Sequence, residues 1–186
     1  DFVGIFSAVA APFAVYFSEL ARDILPLDIS LNLVVNFTEA FLFTTVIKDA
    51  LKMTVLRERP YNYFDGPRPQ GGNSYDWQYS FPSGHTAYAF MGAGFFAYTF
   101  SQMYPESLAK KPLIATAYTF ATITGVLRIL SGNHFITDVL GGALVGTACG
   151  VLFPMVNQFV NSKIQISENI ELSSQFTGLG ANFRLS

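Results

Sequence analysis

Three long stretches without a single charge constrain this chain more than any other feature: Thr86–Pro105, Pro112–Leu127 and Val139–Ser162. Two apolar blocks precede them, Phe2–Ser18 with Pro12 inside it, and Ile29–Ile47 with Glu39 as its one charge. A helix that crosses a bilayer needs about 20 mostly apolar residues, and these blocks fall at or just under that length. Most are joined by short linkers. The pattern predicts an all-α, antiparallel bundle of five or six helices. Gly142, Gly146 and Gly150 recur at every fourth position of the last block. They give one helix face a smooth stripe suited to close packing in lipid, whereas in water each Gly would cost up to about 1 kcal/mol relative to Ala. The bundle is therefore expected to be transmembrane, with Glu39 turned toward protein rather than lipid.

Composition agrees. Of 186 residues, 51% are apolar and only 13% charged, about half the charge of an average soluble domain. A net charge of -2 provides no basic stripe for a nucleic acid. The one cysteine, Cys149, permits neither an internal disulfide nor a cysteine metal cage. The length suits one domain, expected over residues 1–162. A tail, residues 163–186, reads differently: Lys163-Ile-Gln-Ile-Ser167 alternates, and the rest reads as short strands broken at Thr177-Gly-Leu-Gly180. The chain begins inside an apolar block, as it would if a leader or helix had been removed.

Chemistry gathers at three places. The first is Lys52-Met-Thr-Val-Leu-Arg-Glu-Arg59-Pro60, followed by a Pro- and Gly-rich loop. Pro60 is expected to end the helix, with Lys52 and Arg59 on nearly the same helical face. Two such cations repel unless an anion bridges them, although a solvated basic helix end fits equally well. The second is Ser80-Phe-Pro-Ser-Gly-His-Thr86 at the start of an uncharged block. Ser83 is placed as an N-cap, leaving the amides of Gly84, His85 and Thr86 for an anion. An ordinary capped helix with an incidental histidine is the plainer reading. The third is Arg128-Ile-Leu-Ser-Gly-Asn-His134-Phe-Ile-Thr-Asp138. In a helical stretch Asp138 would reach His134, fix its tautomer and leave the other ring nitrogen with a lone pair, as a nucleophile or base requires. His85 and His134 are the chain's only histidines. Alternating helices would bring all three clusters to one edge of the bundle. Three cations, two imidazoles, a carboxylate and free amides suit a phosphoryl group.

Taken together, Lys52-x6-Arg59-Pro60, Pro82-Ser-Gly-His85 and Arg128-x5-His134-x3-Asp138 resemble the signature of the type 2 phosphatidic acid phosphatase (PAP2) superfamily. The match spans about Lys48 to Gly142. It departs in one place, Leu127, where the family usually has serine before the arginine. The resemblance implies that His134 attacks phosphorus, that Asp138 orients it, and that His85 protonates the leaving alkoxide. It also implies that Lys52, Arg59, Arg128, Ser83 and the Gly84 amide hold the phosphate oxygens. Metal-independent hydrolysis of a phosphorylated lipid is the implied activity, with no cofactor. Within enzymes, the alternatives are a vanadium-dependent haloperoxidase and a soluble acid phosphatase. A membrane scaffold or transport component that binds phosphate without turnover is the non-enzymatic one. Lys110-Lys111 at the other edge favours the cytoplasm there. That predicts a multi-pass protein of the cell (inner) membrane, its site facing the periplasm or extracellular space. The headgroup and oligomeric state stay open.

Overall fold

Four α-helices run through the described residues: α1 (Leu27–Val55), α2 (Gly84–Met103), α3 (Lys110–Leu130) and α4 (Ile136–Phe183). The computed structural model describes residues 27–63 and 76–183. The expected helix at Phe2–Ser18 and much of the Gly- and Pro-rich loop lie outside them. Short 3-10 turns occupy Pro60–Asn62 and Asp76–Gln78. The all-helical class is as expected, with four helices among the described residues.

The tail differs from its expectation. No strand occurs among the described residues, and α4 continues through Lys163 to Phe183. Extending an existing helix fixes one residue per hydrogen bond, whereas a new strand pair must first close a loop. A brief period-two pattern after an established helix therefore does not suffice to end it.

Contacts divide the chain into one compact unit up to Pro154 and a second from Met155. α4 passes through both, with Pro154 inside the helix. In the first unit, α2 is the enclosed helix. Phe37 and Ala40 of α1 pack with Met91 and Phe95 of α2 and Cys149 of α4, and the Phe37 and Phe95 rings meet edge to face at 5.2 Å. On another side, Ala89 and Ala93 meet Ala121 of α3. The glycine stripe of α4 lies on the α2 backbone: a Cβ at Gly146 would run into the Ala87 carbonyl, and one at Gly150 into that of Met91. Only glycine permits this approach, which draws the start of α4 against the start of α2.

The outer faces are apolar. Val34, Val35, Leu42 and Val46 of α1, and Phe120, Ile123, Val126 and Leu127 of α3, are exposed. Three segments, Ile29–Asn62, Lys110–Leu130 and Ile136–Lys163, are long and apolar enough to cross a membrane. Glu39 is half-buried in α1.

Candidate active site

α1 stops earlier than Pro60 predicts. It ends at Val55, and Leu56 turns into the left-handed region with φ 46°. Arg59 is extended, at φ -79° and ψ 151°, as a residue before proline prefers. Lys52 and Arg59 therefore do not share a helical face. Lys52 lies in the last turn of α1 and Arg59 in the segment beyond it, where its amide donates to the Trp77 carbonyl at 2.8 Å. Arg59 is buried, its Nη2 on Asp76 Oδ1 at 2.8 Å and its Nε on the Asp76 carbonyl at 2.9 Å. Asn133 Oδ1 accepts from Nη1 at 3.4 Å. Five N–H donors serve these three bonds, so the fork keeps capacity for an anion.

Ser83 takes the N-cap position of α2 with the expected extended backbone, but its side chain does not cap. Its Oγ instead accepts from Thr86 Oγ1 at 2.9 Å. Gly84 follows, close under two lysines: a Cβ there would stand 3.1 Å from Lys48 Cδ and 4.0 Å from Lys52 Nζ. The Lys52 ammonium thus hangs over the glycine at the helix start, where amide dipoles favour an anion.

The spacing between Arg128 and His134 is a helix stop. α3 closes at Ser131 and Gly132, the latter at φ 67°, the left-handed geometry favoured after a helix. The Arg128 carbonyl then accepts the amides of Asn133 and His134, each at 3.2 Å. His134 precedes α4, so its four-residue separation from Asp138 is not a turn of that helix. Asp138 Oδ2 reaches back to the Phe135 amide at 2.8 Å, one half of a capping box. His134 Nδ1 lies 3.8 Å from that oxygen, beyond hydrogen-bond length. The partner of Nδ1 is the Ser80 carbonyl, at 2.7 Å. A carbonyl only accepts, so neutral His134 carries its proton on Nδ1 and a lone pair on Nε2. The tautomer is the one expected, fixed by a group other than the one expected.

Main-chain bonds hold the three motifs together. Ser83 donates to the Asp138 carbonyl at 2.9 Å, Tyr61 to that of Gly132 at 3.2 Å, and Ser80 to that of Arg57 at 2.8 Å. Side chains follow. Lys52 acts electrostatically on Arg59, and His85 feels Arg128, His134 and Lys52. His134 feels Arg59 and Arg128. All eight residues singled out in the sequence are thus brought to one end of the bundle. Four more were not assigned roles there: Arg57, Asp76, Ser80 and Asn133. Each flanks a motif, but their contacts cross between segments that no spacing links.

The environment tunes both imidazoles. His134 is only 2% exposed; burial pushes it below its ordinary value, Arg59 and Arg128 push the same way, and Asp138 opposes them. His85, one residue ahead of the uncharged block, is pushed down to about 4, first by burial and then by Arg128, His134 and Lys52. Among the described residues, no group of three or more His, Cys, Asp or Glu is placed to hold a metal ion.

The family model "PAP2 superfamily" matches residues 33–161. The chain belongs to the PAP2 superfamily. Curated relatives include "Lipid phosphate phosphatase 2" of Arabidopsis thaliana, 30% identical over 75% of this chain and 55% of its own. "Lipid A 1-phosphatase" of Porphyromonas gingivalis is 42% identical over 39% of this chain and 15% of its own. The chain thus spans well under two thirds of either relative. Among solved structures, a transmembrane PAP2-type phosphatidylglycerolphosphate phosphatase of Bacillus subtilis has a TM-score of 0.54 at 30% identity, covering 70% of this chain and 60% of that one. Aquifex aeolicus LpxE has a TM-score of 0.57 at 25% identity, covering 82% and 81%. The PAP2 match contains all three motifs, from Lys52 to Asp138.

Proposed function

We propose that this PAP2 protein is a phosphatase that hydrolyses the phosphate monoester or diphosphate of a membrane lipid, without metal, through a phosphohistidine. One observation carries the reading. The Ser80 carbonyl holds His134 Nδ1, so the Nε2 lone pair of a buried imidazole is free amid Arg59, Arg128 and His85. In this reading Lys52, Arg59 and Arg128 bind the non-bridging oxygens, with Ser83 and the Gly84 amide completing the cradle. They supply the charge stabilisation that a metal ion supplies elsewhere.

The Nε2 lone pair attacks phosphorus while the bond to the leaving oxygen breaks, and His85 gives that oxygen its proton. Asp138 stabilises the imidazolium that forms. Water then attacks phosphorus as the P–N bond breaks, His85 takes the water's proton, and phosphate leaves with neutral His134 regenerated. Burial and the neighbouring cations depress His85 to about 4, which keeps it neutral at pH 7. A phosphate dianion offsets Lys52 and Arg128, so His85 gains its proton with the substrate.

The lipid reading rests on the apolar outer faces and on relatives named for lipid phosphates. The site lies where Arg128 ends α3, and Lys110-Lys111 start the same helix. This charge favours a cytoplasmic start and a site facing the periplasm or extracellular space of a multi-pass inner-membrane protein. Exposed Tyr63, in the segment next to the cradle, and exposed Leu108, before α3, supply the test. A cysteine at Tyr63 is labelled by an impermeant reagent in spheroplasts and one at Leu108 is protected; the reverse pattern overturns the orientation. Phosphate release from phosphatidate, phosphatidylglycerol phosphate, polyprenyl diphosphate and lipid A, each with EDTA, tests the activity. Release unaffected by EDTA is expected; activity lost in chelator contradicts the mechanism.

A further inference from the structure

Two side chains outside the family signature hold the groups on which His134 depends. Asp138 is fully buried and its carboxylate is well occupied. Arg57 Nη1 donates to Oδ1 at 2.9 Å, and Ser80 Oγ donates to Oδ2 at 2.6 Å. The same Arg57 nitrogen donates to Thr137 Oγ1 at 2.5 Å, and the guanidinium lies 4.1 Å from the centre of the Phe135 ring. Arg57 is thereby fixed on three of the four residues 135–138. Ser80 is fully buried and works in three directions. Its hydroxyl holds Asp138, its carbonyl holds His134 Nδ1, and its amide donates to the Arg57 carbonyl.

We infer that Arg57 and Ser80 are the positioning residues of the nucleophile. Arg57 pins and partly neutralises Asp138, Ser80 fixes the imidazole through its main chain, and Asp138 acts on His134 through Ser80 instead of through a direct bond. Neither residue touches the reacting atoms. The inference rests on the reading of His134 as nucleophile, and its physical basis is that the hydrogen-bond partner on the far side of an imidazole sets its tautomer, ring plane and basicity. The charges facing His134 come from every neighbouring element. They are Arg59 beyond α1, His85 on α2, Arg128 on α3 and Asp138 on α4. Arg57 is the cation bonded directly to the carboxylate of that set. Its removal leaves Asp138 with more unbalanced charge, which favours the imidazolium.

With two histidines in the chain, nitrogen NMR of the full protein in detergent micelles, labelled at histidine, reads this directly. His85→Gln assigns the pair. Wild-type His134 is expected as the Nδ1–H tautomer. Arg57→Gln keeps a hydrogen-bonding side chain without the charge; it should raise the His134 midpoint by about half a pH unit or more. Arg57→Lys restores the charge and returns the midpoint toward wild type. Kinetically, Arg57→Gln lowers kcat about tenfold or more with KM within about twofold, and its acid limb moves up with the NMR midpoint. Ser80→Ala keeps the carbonyl and loses the hydroxyl, so the tautomer stays and the midpoint rises; it carries the test if Arg57→Gln does not fold. An Nε2–H tautomer in the wild type, or equal midpoints in wild type and variants, overturns the inference. Wild-type protein that shows the expected spectra but releases no phosphate from any lipid overturns the proposed function and leaves the positioning network standing.

Discussion

Helices α2 and α3 are nearly equal in length and both are dominated by an uncharged block, yet they meet different surroundings. α2 buries eleven of its twenty residues, whereas α3 buries Ala121 and Gly125. Small residues mark the places where the backbones come closest. The buried positions of α2 include Ala87, Ala89, Gly92, Ala93 and Gly94, which let neighbouring backbones approach, while α3 points Phe120, Ile123, Val126 and Leu127 outward. In lipid, burying a large apolar side chain against protein gains little over leaving it against acyl chains, so close packing of small residues decides which helix is central. The central helix is also the one that starts at Ser83-Gly84-His85. The tightest packing therefore holds the most polar end.

The largest effect is expected where that packing is backbone on backbone. Gly146→Val places a side chain inside the Ala87 carbonyl, and α4 must move. A loss of about 3 kcal/mol or more, read by thermal unfolding in detergent, is the expected outcome; a stable, active Gly146→Val protein would break the comparison. Gly125→Val on α3 is gentler, because the nearest atom to its Cβ is Val139 Cγ1 at 2.7 Å, the end of a side chain. About 1–3 kcal/mol is expected there.

Protonation separates the interior from the faces in a second way. His85 and His134 both have depressed folded values, His85 at about 4. The unfolded chain then binds more protons below the ordinary histidine value of about 6.5. The stability tied to neutral imidazoles is complete above pH 6.5 and is lost as pH falls from there toward 4. Tm measured across this range should drop in the wild type and less in His85→Gln/His134→Gln; parallel curves would contradict the burial account. Smallest of all, Ile123→Leu on the outer face of α3 should leave stability within about 0.5 kcal/mol and kcat unchanged. A change in kcat there would mean that the face is not simply solvent for lipid.

Much of this was legible because the signals are local. Uncharged blocks announced the helices, glycine spacing announced one closely packed face on α4, and three short motifs announced the residues that gather at one end. What escaped the sequence depends on tertiary choices. The seven-residue spacing of Lys52 and Arg59 fits one helical face, but Leu56 turns into the left-handed region and takes Arg59 off the helix. The four-residue spacing of His134 and Asp138 fits a helical pair, but α4 starts only at Ile136. The carboxylate then serves the Phe135 amide, Ser80 and Arg57, and the imidazole takes a carbonyl 54 residues away in sequence. The tail's alternation was a short-range pattern overridden by the helix running into it.

Rapid acid-free quenching of the enzyme during turnover of a radiolabelled lipid phosphate puts the central claim to its most direct trial. Label that survives alkali, is lost in acid, and maps to the Ile129–Lys163 tryptic peptide containing His134 is the expected result, with none in His134→Ala. Full turnover in His134→Ala, or label on any other side chain, would contradict it.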